Sequence, residues 1–394
     1  MLQRYFSLLP LPARDPDVPH RAATPLELFF DLISVVAIAA ITAGLHHAIS
    51  EGHGVEKLPI FAFLFIGIWW AWMNFTWFAS AFDNDGPFYR TLVMVLMGGE
   101  VLFAGGAAYM FETGDFSWGI LGWTVMRVAM AVLWFRAAGN MAYRKTCLRY
   151  GFGVMFAQLL WIAFYVLTVP GSPLFYAAGI AIFLVEFAVP LFAERARQTP
   201  FHRHHMIERY GLLTIISLGE VVLAISLGFG ALYGEHAAIG PVITAVAALV
   251  LVFCLFSLYF CKGDHLVSSD FATAFSWGYG HLLVFGSIAA IGAGIAAELD
   301  LATHHSHTTQ DYVAWWMGGP LAVYFLSLWF VRDRYHSLGN RQVALPVMAL
   351  VALIASFLGS PSWMFALIAF GALVWRVPPP LASEGQGMAE GRHG

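Results

Sequence analysis

Five ionisable side chains lie deep inside strongly apolar stretches of the sequence, namely Asp31, Glu100, Arg127, Glu186 and Glu220. If such a stretch crosses a membrane, a charge near its centre costs at least about 2.5 to 3.5 kcal/mol unless it is paired or hydrated. Four carboxylic acids against one arginine leave an acidic excess. Carboxylic acids in excess are either protonated or hold something positive, so the set predicts a role in binding or relaying a proton or a cation.

Arg127 is the only cation that we place deep inside an apolar stretch. The preceding stretch carries Glu100, and consecutive antiparallel helices lie side by side in a hairpin. We therefore expect Arg127 to pair with Glu100. Such a pair is either a static contact that orients two helices or part of a path for a cation or a proton.

The first apolar stretch begins with the sequence Thr24-Pro-Leu-Glu-Leu-Phe-Phe-Asp-Leu. Thr24 is a good helix N-cap, Pro25 suits the first turn, and Glu27 follows Thr24 at the spacing of a capping box. Glu27 is therefore predicted to be structural. Asp31 lies on the same face about one turn deeper, where capping does not explain it, so it is a candidate functional carboxylate.

Histidines mark the start of the seventh apolar stretch. His204 and His205 precede Glu208 by about one helical turn, a spacing at which side chains share a face and can ligate a metal ion. Histidines beside a basic loop are usually solvated, so we predict no metal site, and Glu208 only marks the helix start. Further along, Gly219 precedes Glu220 and would let another backbone approach that carboxylate closely.

His281 lies deep in the ninth apolar stretch. It either pairs with a carboxylate and relays a proton, or it is a structural histidine whose hydrogen bonds are satisfied. The sequence has no HExxH zinc motif and no GxSxG nucleophile motif, so neither a catalytic residue nor a cofactor is predicted.

Twelve apolar stretches must position these residues, each close to the roughly 20 residues that cross a bilayer as a helix. The fold class is therefore predicted as an all-α polytopic membrane protein with about twelve transmembrane helices. The stretches cover about residues 25–45, 58–82, 88–111, 117–140, 150–169, 173–193, 208–232, 239–260, 271–297, 312–331, 342–359 and 362–377.

The Lys and Arg residues are distributed asymmetrically around these stretches. Of 20, 18 lie in every second gap or at the stretch ends that border it, only Lys57 lies on the other side, and Arg127 is deep inside a stretch. Cytoplasmic loops retain Lys and Arg because positive charge resists translocation. The pattern predicts a protein of the bacterial inner membrane with both termini in the cytoplasm.

The composition excludes a soluble globular domain. Hydrophobic residues make up 59% of the chain and charged residues 11%, whereas soluble domains have about 45 to 50% and about 25%. The mean hydropathy is +0.71. Because the cations are confined to one membrane face, they exclude nucleic acid as a partner and leave membrane lipids. Cys147, Cys254 and Cys261 lack the even count of a disulfide framework and are expected to be reduced.

We divide the chain into an amino-terminal arm (1–24), a helical bundle (25–377) and a disordered tail (378–394). The arm has no apolar segment like that of a cleaved signal peptide, so the first helix is expected to act as the signal.

An internal repeat is a further expectation. Sliding the chain by 181 residues aligns Glu27 with Glu208 and Asp83 with Asp264, among other pairs. The alignment predicts a parallel six-plus-six repeat with halves 25–193 and 208–377, and transporters often place their sites where such repeats meet. Aromatic and glycine coincidences are common in apolar sequence, so chance matching remains the alternative.

Two segments of the chain resemble a known family. The opening Thr24-Pro-Leu-Glu-Leu-Phe-Phe-Asp-Leu, together with Glu208-Arg-Tyr-Gly-Leu and Leu218-Gly-Glu, is similar to the bacterial low-temperature-requirement A (LtrA) family of multispan proteins. The chain departs from the usual phenylalanine-rich continuation after Asp31, where it reads Leu32-Ile-Ser-Val-Val. The family name records growth in the cold, and the resemblance implies no substrate, cofactor or catalytic residue.

Two functions fit the sequence. The first is secondary transport or ion conduction that uses the deep carboxylates, with a small ion or a proton-coupled substrate as the partner. The alternative is a non-transporting membrane protein with a structural role or a role in envelope and lipid homeostasis in the cold. A polar cavity holding Glu220 and Asp31 together would favour transport, and dry, mutually satisfied pairs would favour the alternative. The oligomeric state stays open.

The charge asymmetry leads to a prediction about topology. Reporter fusions after Arg149, Arg203 and Arg341 should report cytoplasm, and fusions near Gly114, Glu235 and His305 should report the outside, because positive loops are retained inside. Paired alkaline phosphatase and fluorescent protein fusions at each site make the measurement. A reversed result at any one of them would contradict the span count.

Overall fold

The computed structural model describes residues 11–18, 21–231, 239–261 and 266–377. Within these residues the chain is helical, and its only β interaction is an isolated bridge between Ala13 and Phe82. The predicted disordered tail lies outside the described residues, as do Glu235, Lys262 and Asp264.

The described residues form thirteen α-helices. They are α1 (Pro25–Ser50), α2 (Gly54–Ala81), α3 (Pro87–Gly105), α4 (Ala107–Thr113), α5 (Ser117–Ala137), α6 (Arg144–Leu167), α7 (Pro173–Glu194), α8 (Arg203–Ala231), α9 (Ile239–Phe260), α10 (Phe271–Ala302), α11 (Gln310–Val331), α12 (Ala344–Phe357) and α13 (Ser362–Arg376).

The predicted all-α membrane fold is confirmed. Among the described residues, eleven helical segments are long and apolar enough to cross a membrane, and α13 is a shorter apolar helix of 15 residues. Helices α3 and α4 together make one of these segments, Pro87–Thr113. The twelve predicted stretches thus correspond to eleven full-length spans and α13, which at 1.5 Å per residue is shorter than a bilayer core about 30 Å thick.

A break at Gly106 separates α3 from α4, which the sequence pattern did not predict. A Cβ atom on Gly106 would lie 2.5 Å from Cβ of Trp118 at the start of α5. Only glycine allows this approach, and glycine also weakens a helix interior. Close packing against α5 therefore interrupts the third span.

The described part of the amino-terminal arm, residues 11–18 and 21–24, lies where α1 begins and α2 ends. We call this side of the bundle the arm face and the opposite side the distal face. The backbone N–H of Arg14 donates to the carbonyl of Ala81 at 2.9 Å. The capping box expected at α1 is present, because Thr24 Oγ1 accepts from the Glu27 N–H and Oε2 of Glu27 accepts from the Thr24 N–H.

Helices α2 and α10 form the centre of the bundle. Their most apolar segments are 72% and 78% buried, more than those of the other spans. Trp69, Trp70 and Trp72 on α2 have no exposed surface, so this tryptophan run packs in the core. A Cβ atom on Gly294 of α10 would lie 2.5 Å from the Trp316 carbonyl oxygen of α11, so glycine permits close helix packing there.

The two halves of the chain show the same order of helix contacts. In the first half, α1 contacts α2 and α3, α3 contacts α5, and α6 packs between α5 and α7. In the second half, α8 contacts α9 and α10, α10 contacts α11, and α12 packs between α11 and α13. The halves meet where α1 packs against α8 and α10. The internal repeat itself stays a prediction.

An ion cluster at the arm face ties the last helices together. Asp333, which follows α11, accepts from Arg332 at 2.6 Å and from Arg376 of α13 at 2.5 and 2.8 Å. Arg332 also donates to the Leu258 carbonyl of α9 at 2.5 Å. All three charged side chains are at most 1% exposed, so the cluster holds the ends of α9, α11 and α13 in one place.

We predict that Asp333→Asn lowers the free energy of unfolding by about 3 to 5 kcal/mol, because two buried guanidinium groups lose their counter-charge. Chemical and thermal unfolding of the protein in detergent measures this. The matched control is Asp85→Asn. Hydrogen bonds from Arg90 lower the pKa of Asp85, but both side chains are more than half exposed, so its loss should cost no more than about 1 kcal/mol. Equal losses in the two variants would contradict a structural role for the cluster.

Candidate functional site

Asp31 on α1 forms a two-pronged ion pair with Arg209 on α8. Nε of Arg209 donates to Oδ2 at 3.0 Å, and Nη2 donates to Oδ1 at 2.5 Å. The indole N–H of Trp72 on α2 donates to Oδ1 at 2.6 Å. Both charged side chains have no exposed surface. The Asp31 carboxylate is therefore compensated, and it joins three helices from the two halves of the chain.

Glu27 extends this pair toward the arm face. Its Oε1 accepts from Nη2 of Arg21 at 3.0 Å and lies 3.2 Å from Nε2 of His205 and 3.6 Å from Nη1 of Arg209. We call Arg21, Glu27, Asp31, His205 and Arg209 the arm-face network. Two carboxylates and two guanidinium groups balance within it.

Arg21 fastens the arm to the end of α2. Besides Glu27, its guanidinium donates to the carbonyls of Ser80 and Ala79, both at 2.8 Å. Burial lowers the pKa of Arg21 to about 10, so the side chain stays charged at neutral pH. Glu208 adds a further link, because its Oε2 accepts from the backbone N–H of Ala23 at 3.2 Å. The arm is thus held against α1, α2 and α8.

The predicted pairing of Arg127 with Glu100 is wrong, because Arg127 forms its ion pair with Glu186 on α7. The indole N–H groups of Trp70 and Trp161 donate to the two oxygens of Glu186 at 3.0 and 3.2 Å. Arg127 and Glu186 are at most 1% exposed. This pair is buried, although Nε of Arg127 has no hydrogen-bond partner among the described residues, and it ties α5 to α2, α6 and α7.

Glycine packing explains why the hairpin rule failed. Helices α3 and α5 do lie side by side, but a Cβ atom on Gly122 would lie 2.6 Å from the Gly99 carbonyl oxygen. Gly99 and Gly122 therefore allow the two helices to approach closely at this point. Successive residues of a helix are turned by about 100°, so Glu100, next to Gly99, lies off the contact face and reaches α1.

Glu100 is buried without a cationic partner among the described residues. Both of its carboxyl oxygens lie near Oγ of Ser34 on α1, at 3.1 and 2.9 Å. The same hydroxyl lies 3.0 Å from the Phe30 carbonyl. A hydroxyl has one proton to donate, so Ser34 cannot satisfy every acceptor around it. Glu100 has no exposed surface, so its carboxyl group is buried without a compensating charge among the described residues.

His281 is satisfied by neutral groups. Its Nδ1 donates to the Trp277 carbonyl at 2.8 Å, since a carbonyl oxygen only accepts, and its Nε2 then accepts from the Tyr259 hydroxyl at 3.1 Å. The ring packs against Tyr210 and Phe285. No carboxylate of the described residues pairs with His281, so the geometry agrees with a structural histidine.

A cavity of about 400 Å³ lies between α1, α8 and α10 in the distal half of the bundle. It ends at Val35 and Ser217, one helical turn from Asp31 along α1. Its lining comprises Val35, Ile38, Ala39, Thr42, Ala43, His46, Ser217, Glu220, Val221, Leu223, Ala224, Leu227, Gly228, Ala289, Gly292, Ala293, Ala296, Leu299 and Asp300.

Glu220 faces this cavity and forms no hydrogen bond or ion pair with the described residues. The other carboxylate of the lining is engaged, because Asp300 lies 2.7 Å from Nε2 of His46 and accepts from Ser50 at 2.8 Å. The expected close approach at Gly219 is wrong, since no atom lies within 4 Å of the position of a Cβ there. Glu220 is half-buried and open to the cavity.

The structure thus separates the predicted residues. Asp31 and Glu27 lie in the arm-face network, Arg127 and Glu186 form a second centre, and Glu220 lies in the cavity away from Asp31. Among the described residues no group of three or more His, Cys, Asp or Glu is arranged to hold a metal ion.

Sequence reasoning missed Arg209, Ser34 and Ser217, and it considered His205 only as a metal ligand. Arg209 lies at the predicted edge of the seventh stretch and is counted with the loop cations there, but α8 already begins at Arg203, so Arg209 is a second buried cation and the acidic excess is smaller than expected. A signal was available for Ser34. It is the polar residue in the segment Leu32-Ile-Ser-Val-Val, where an apolar side chain would pack more easily.

We predict that Glu186→Gln and Arg127→Met each lower the free energy of unfolding by about 3 to 5 kcal/mol, whereas the double variant loses less than their sum. Each single change leaves the remaining polar group buried without its partner. Unfolding in detergent measures all three variants. Arg127→Met combined with Glu100→Gln is the matched control and should be additive, because Glu100 does not contact Arg127. If the losses were additive for Arg127→Met with Glu186→Gln but non-additive for Arg127→Met with Glu100→Gln, the observed pair would be contradicted.

Comparisons with known proteins agree with the helical architecture. The family model of the bacterial low temperature requirement A protein matches residues 22–377. The chain is 26% identical over 326 residues to the uncharacterized protein RA0937 of Rhizobium meliloti (strain 1021), covering 78% of this chain and 76% of the relative. No solved structure matches the chain. Because the family model covers the helical bundle from end to end, this integral membrane protein belongs to the bacterial low temperature requirement A family.

Proposed function

We propose that this protein is a proton- or cation-coupled secondary transporter of the bacterial inner membrane, with Glu220 as the ion-binding carboxylate. One observation carries the proposal: Glu220 faces a cavity of about 400 Å³ between α1, α8 and α10 and has no partner among the described residues. A carboxylate within a membrane-spanning segment is costly unless it is paired or hydrated. Glu220 meets this condition only through water, a proton or a cation in the cavity.

The arrangement of closed and open regions also supports transport. Between the cavity and the arm face lie the Asp31–Arg209 pair and the rest of the arm-face network, whose charged side chains are at most 8% exposed. Alternating access requires a site that is closed on one side while it is open on the other. In this structure the closed side is the arm face.

The orientation of the cavity follows from the distribution of Lys and Arg. Cationic residues cluster at the arm face, which is therefore the cytoplasmic side, with both termini in the cytoplasm. The cavity then lies toward the outside. Membrane lipids surround the bundle, and the proposal includes no nucleic acid partner, cofactor or catalytic step.

A non-transporting role in the cold is the second candidate. It is favoured by the buried pairs Asp31–Arg209 and Arg127–Glu186, in which each charge is compensated by its partner, as in a static cross-link. The transport proposal assigns these pairs to the scaffold and the gate. It assigns ion binding to the unpaired Glu220.

We predict that vesicles carrying the purified protein and an internal pH dye show a proton or small-cation flux that Glu220→Gln abolishes. Glutamine keeps the size and hydrogen bonding of the side chain but cannot release a proton or carry a negative charge. An imposed ion gradient and the initial rate of dye response give the measurement, and thermal unfolding verifies that each variant is folded.

Glu298→Gln is the matched control. Glu298 is a buried carboxylate near the distal end of α10 that accepts from Gln310 and from the Ser362 N–H, and it does not line the cavity. This variant should keep the flux. If the wild type shows no flux, or if Glu220→Gln keeps it, the non-transporting role is favoured instead.

A further inference from the structure

We propose that the cavity between α1, α8 and α10 binds an organic cation with an apolar body and an ammonium group that still carries N–H bonds. This inference rests on the proposed function, because it names the class of molecule that would be transported through the same cavity. The binding site itself stands on three features of the cavity, which are its charge, its walls and its unpaired hydroxyl groups.

The charge of the lining favours a cation. Two carboxylates, Glu220 and Asp300, line the cavity, and the described lining residues include no Lys or Arg. Asp300 already contacts His46 and Ser50, whereas Glu220 is free. An anionic cargo would meet uncompensated negative charge in a region of low dielectric, where like charges repel strongly. An ammonium group next to Glu220 would instead compensate the negative charge of its carboxylate.

The walls favour an organic cargo over a bare metal ion. Of the 19 lining residues, only Thr42, His46, Ser217, Glu220 and Asp300 have polar side chains. Hard metal cations take about six or more oxygen ligands at short distance, and apolar walls do not supply them. Pockets for small organic molecules are mostly apolar with a few placed polar groups and enclose about 300 to 1,000 Å³. The cavity of about 400 Å³ fits that description.

Two hydroxyl groups of the lining have no hydrogen-bond partner. Ser217 is only 6% exposed, yet its Oγ is unpaired, and Oγ1 of Thr42 is also buried and unpaired. Ser217 precedes Glu220 by three residues, so both side chains lie on the same face of α8, one turn apart. The Ser217 hydroxyl and the Glu220 carboxylate can therefore both accept from one ammonium group. Unpaired buried polar groups are costly, and this ligand would satisfy them.

The described residues of the lining narrow the class further. Sites for quaternary ammonium ions commonly use the faces of Trp, Tyr or Phe, and none of these is among the described lining residues. The polar groups present are hydrogen-bond acceptors, which a quaternary ammonium ion cannot use. The cavity therefore favours a primary or secondary amine over a quaternary one.

The test uses the purified full-length protein in detergent and three probes that share one apolar chain: hexylamine, hexyltrimethylammonium and hexanoate. Isothermal titration calorimetry at neutral pH and low salt should show binding of hexylamine, weaker binding of hexyltrimethylammonium and none of hexanoate. Glu220→Gln and Ser217→Ala should each weaken hexylamine binding about tenfold, as expected for losing a hydrogen bond to a charged group. Glu298→Gln, outside the cavity, should leave it unchanged.

Equal binding of hexylamine and hexanoate would overturn the proposal, because it would show only apolar partitioning. So would no binding of hexylamine, or binding that both Glu220→Gln and Ser217→Ala retain. These results are independent of the flux measurement. Amine binding without ion flux would support the binding site and contradict the transport function. Ion flux without amine binding would support the transport function and contradict the binding site.

Discussion

The ion pair between Asp31 and Arg209 is the interaction on which the arrangement of the bundle depends. It connects α1 of the first half with α8 of the second, and Trp72 adds α2 to the same point. A charge inside a membrane protein is tolerated only when it is compensated, so neither residue can move alone without exposing an unpaired charge. The relative position of the two halves is thus linked to one electrostatic contact. The arm strengthens it through Arg21 and Glu27.

The same rule divides the buried carboxylates into two kinds. Asp31 and Glu186 each have a guanidinium partner and an indole N–H, so their charges have no need of a ligand. Glu100 and Glu220 have no cationic partner among the described residues. The free-energy cost of burying these two carboxyl groups depends on whether a proton, water or a ligand is bound to them. Binding at such a group can therefore change the stability of the surrounding structure. Charge alone did not distinguish the two kinds, whereas their partners do.

The sequence predicted the elements well because each depends on local chemistry. Apolar length predicts the spans, and Thr24 with Glu27 predicts the start of α1. The partners depend on which face of a helix a residue occupies and on helices far away in sequence. Glycine packing between α3 and α5 turned Glu100 away from Arg127, and the early start of α8 placed Arg209 in the interior. Neither effect can be derived from spacing within one apolar stretch.

The cavity and the arm-face network lie in series along the same two helices, which constrains how the protein can change shape. Helix α1 carries Asp31 and, one turn on, the cavity residue Val35, and α8 carries Arg209 and, two turns on, Ser217. Any movement of α1 against α8 that opens the arm face must separate Asp31 from Arg209 and alter the cavity walls at once. A ligand that neutralises Glu220 acts on these same helices. In the proposed transport cycle, the free energy that breaks the ion pair must come from contacts that differ between the two states, and the ion pair and the cavity both lie on α1 and α8.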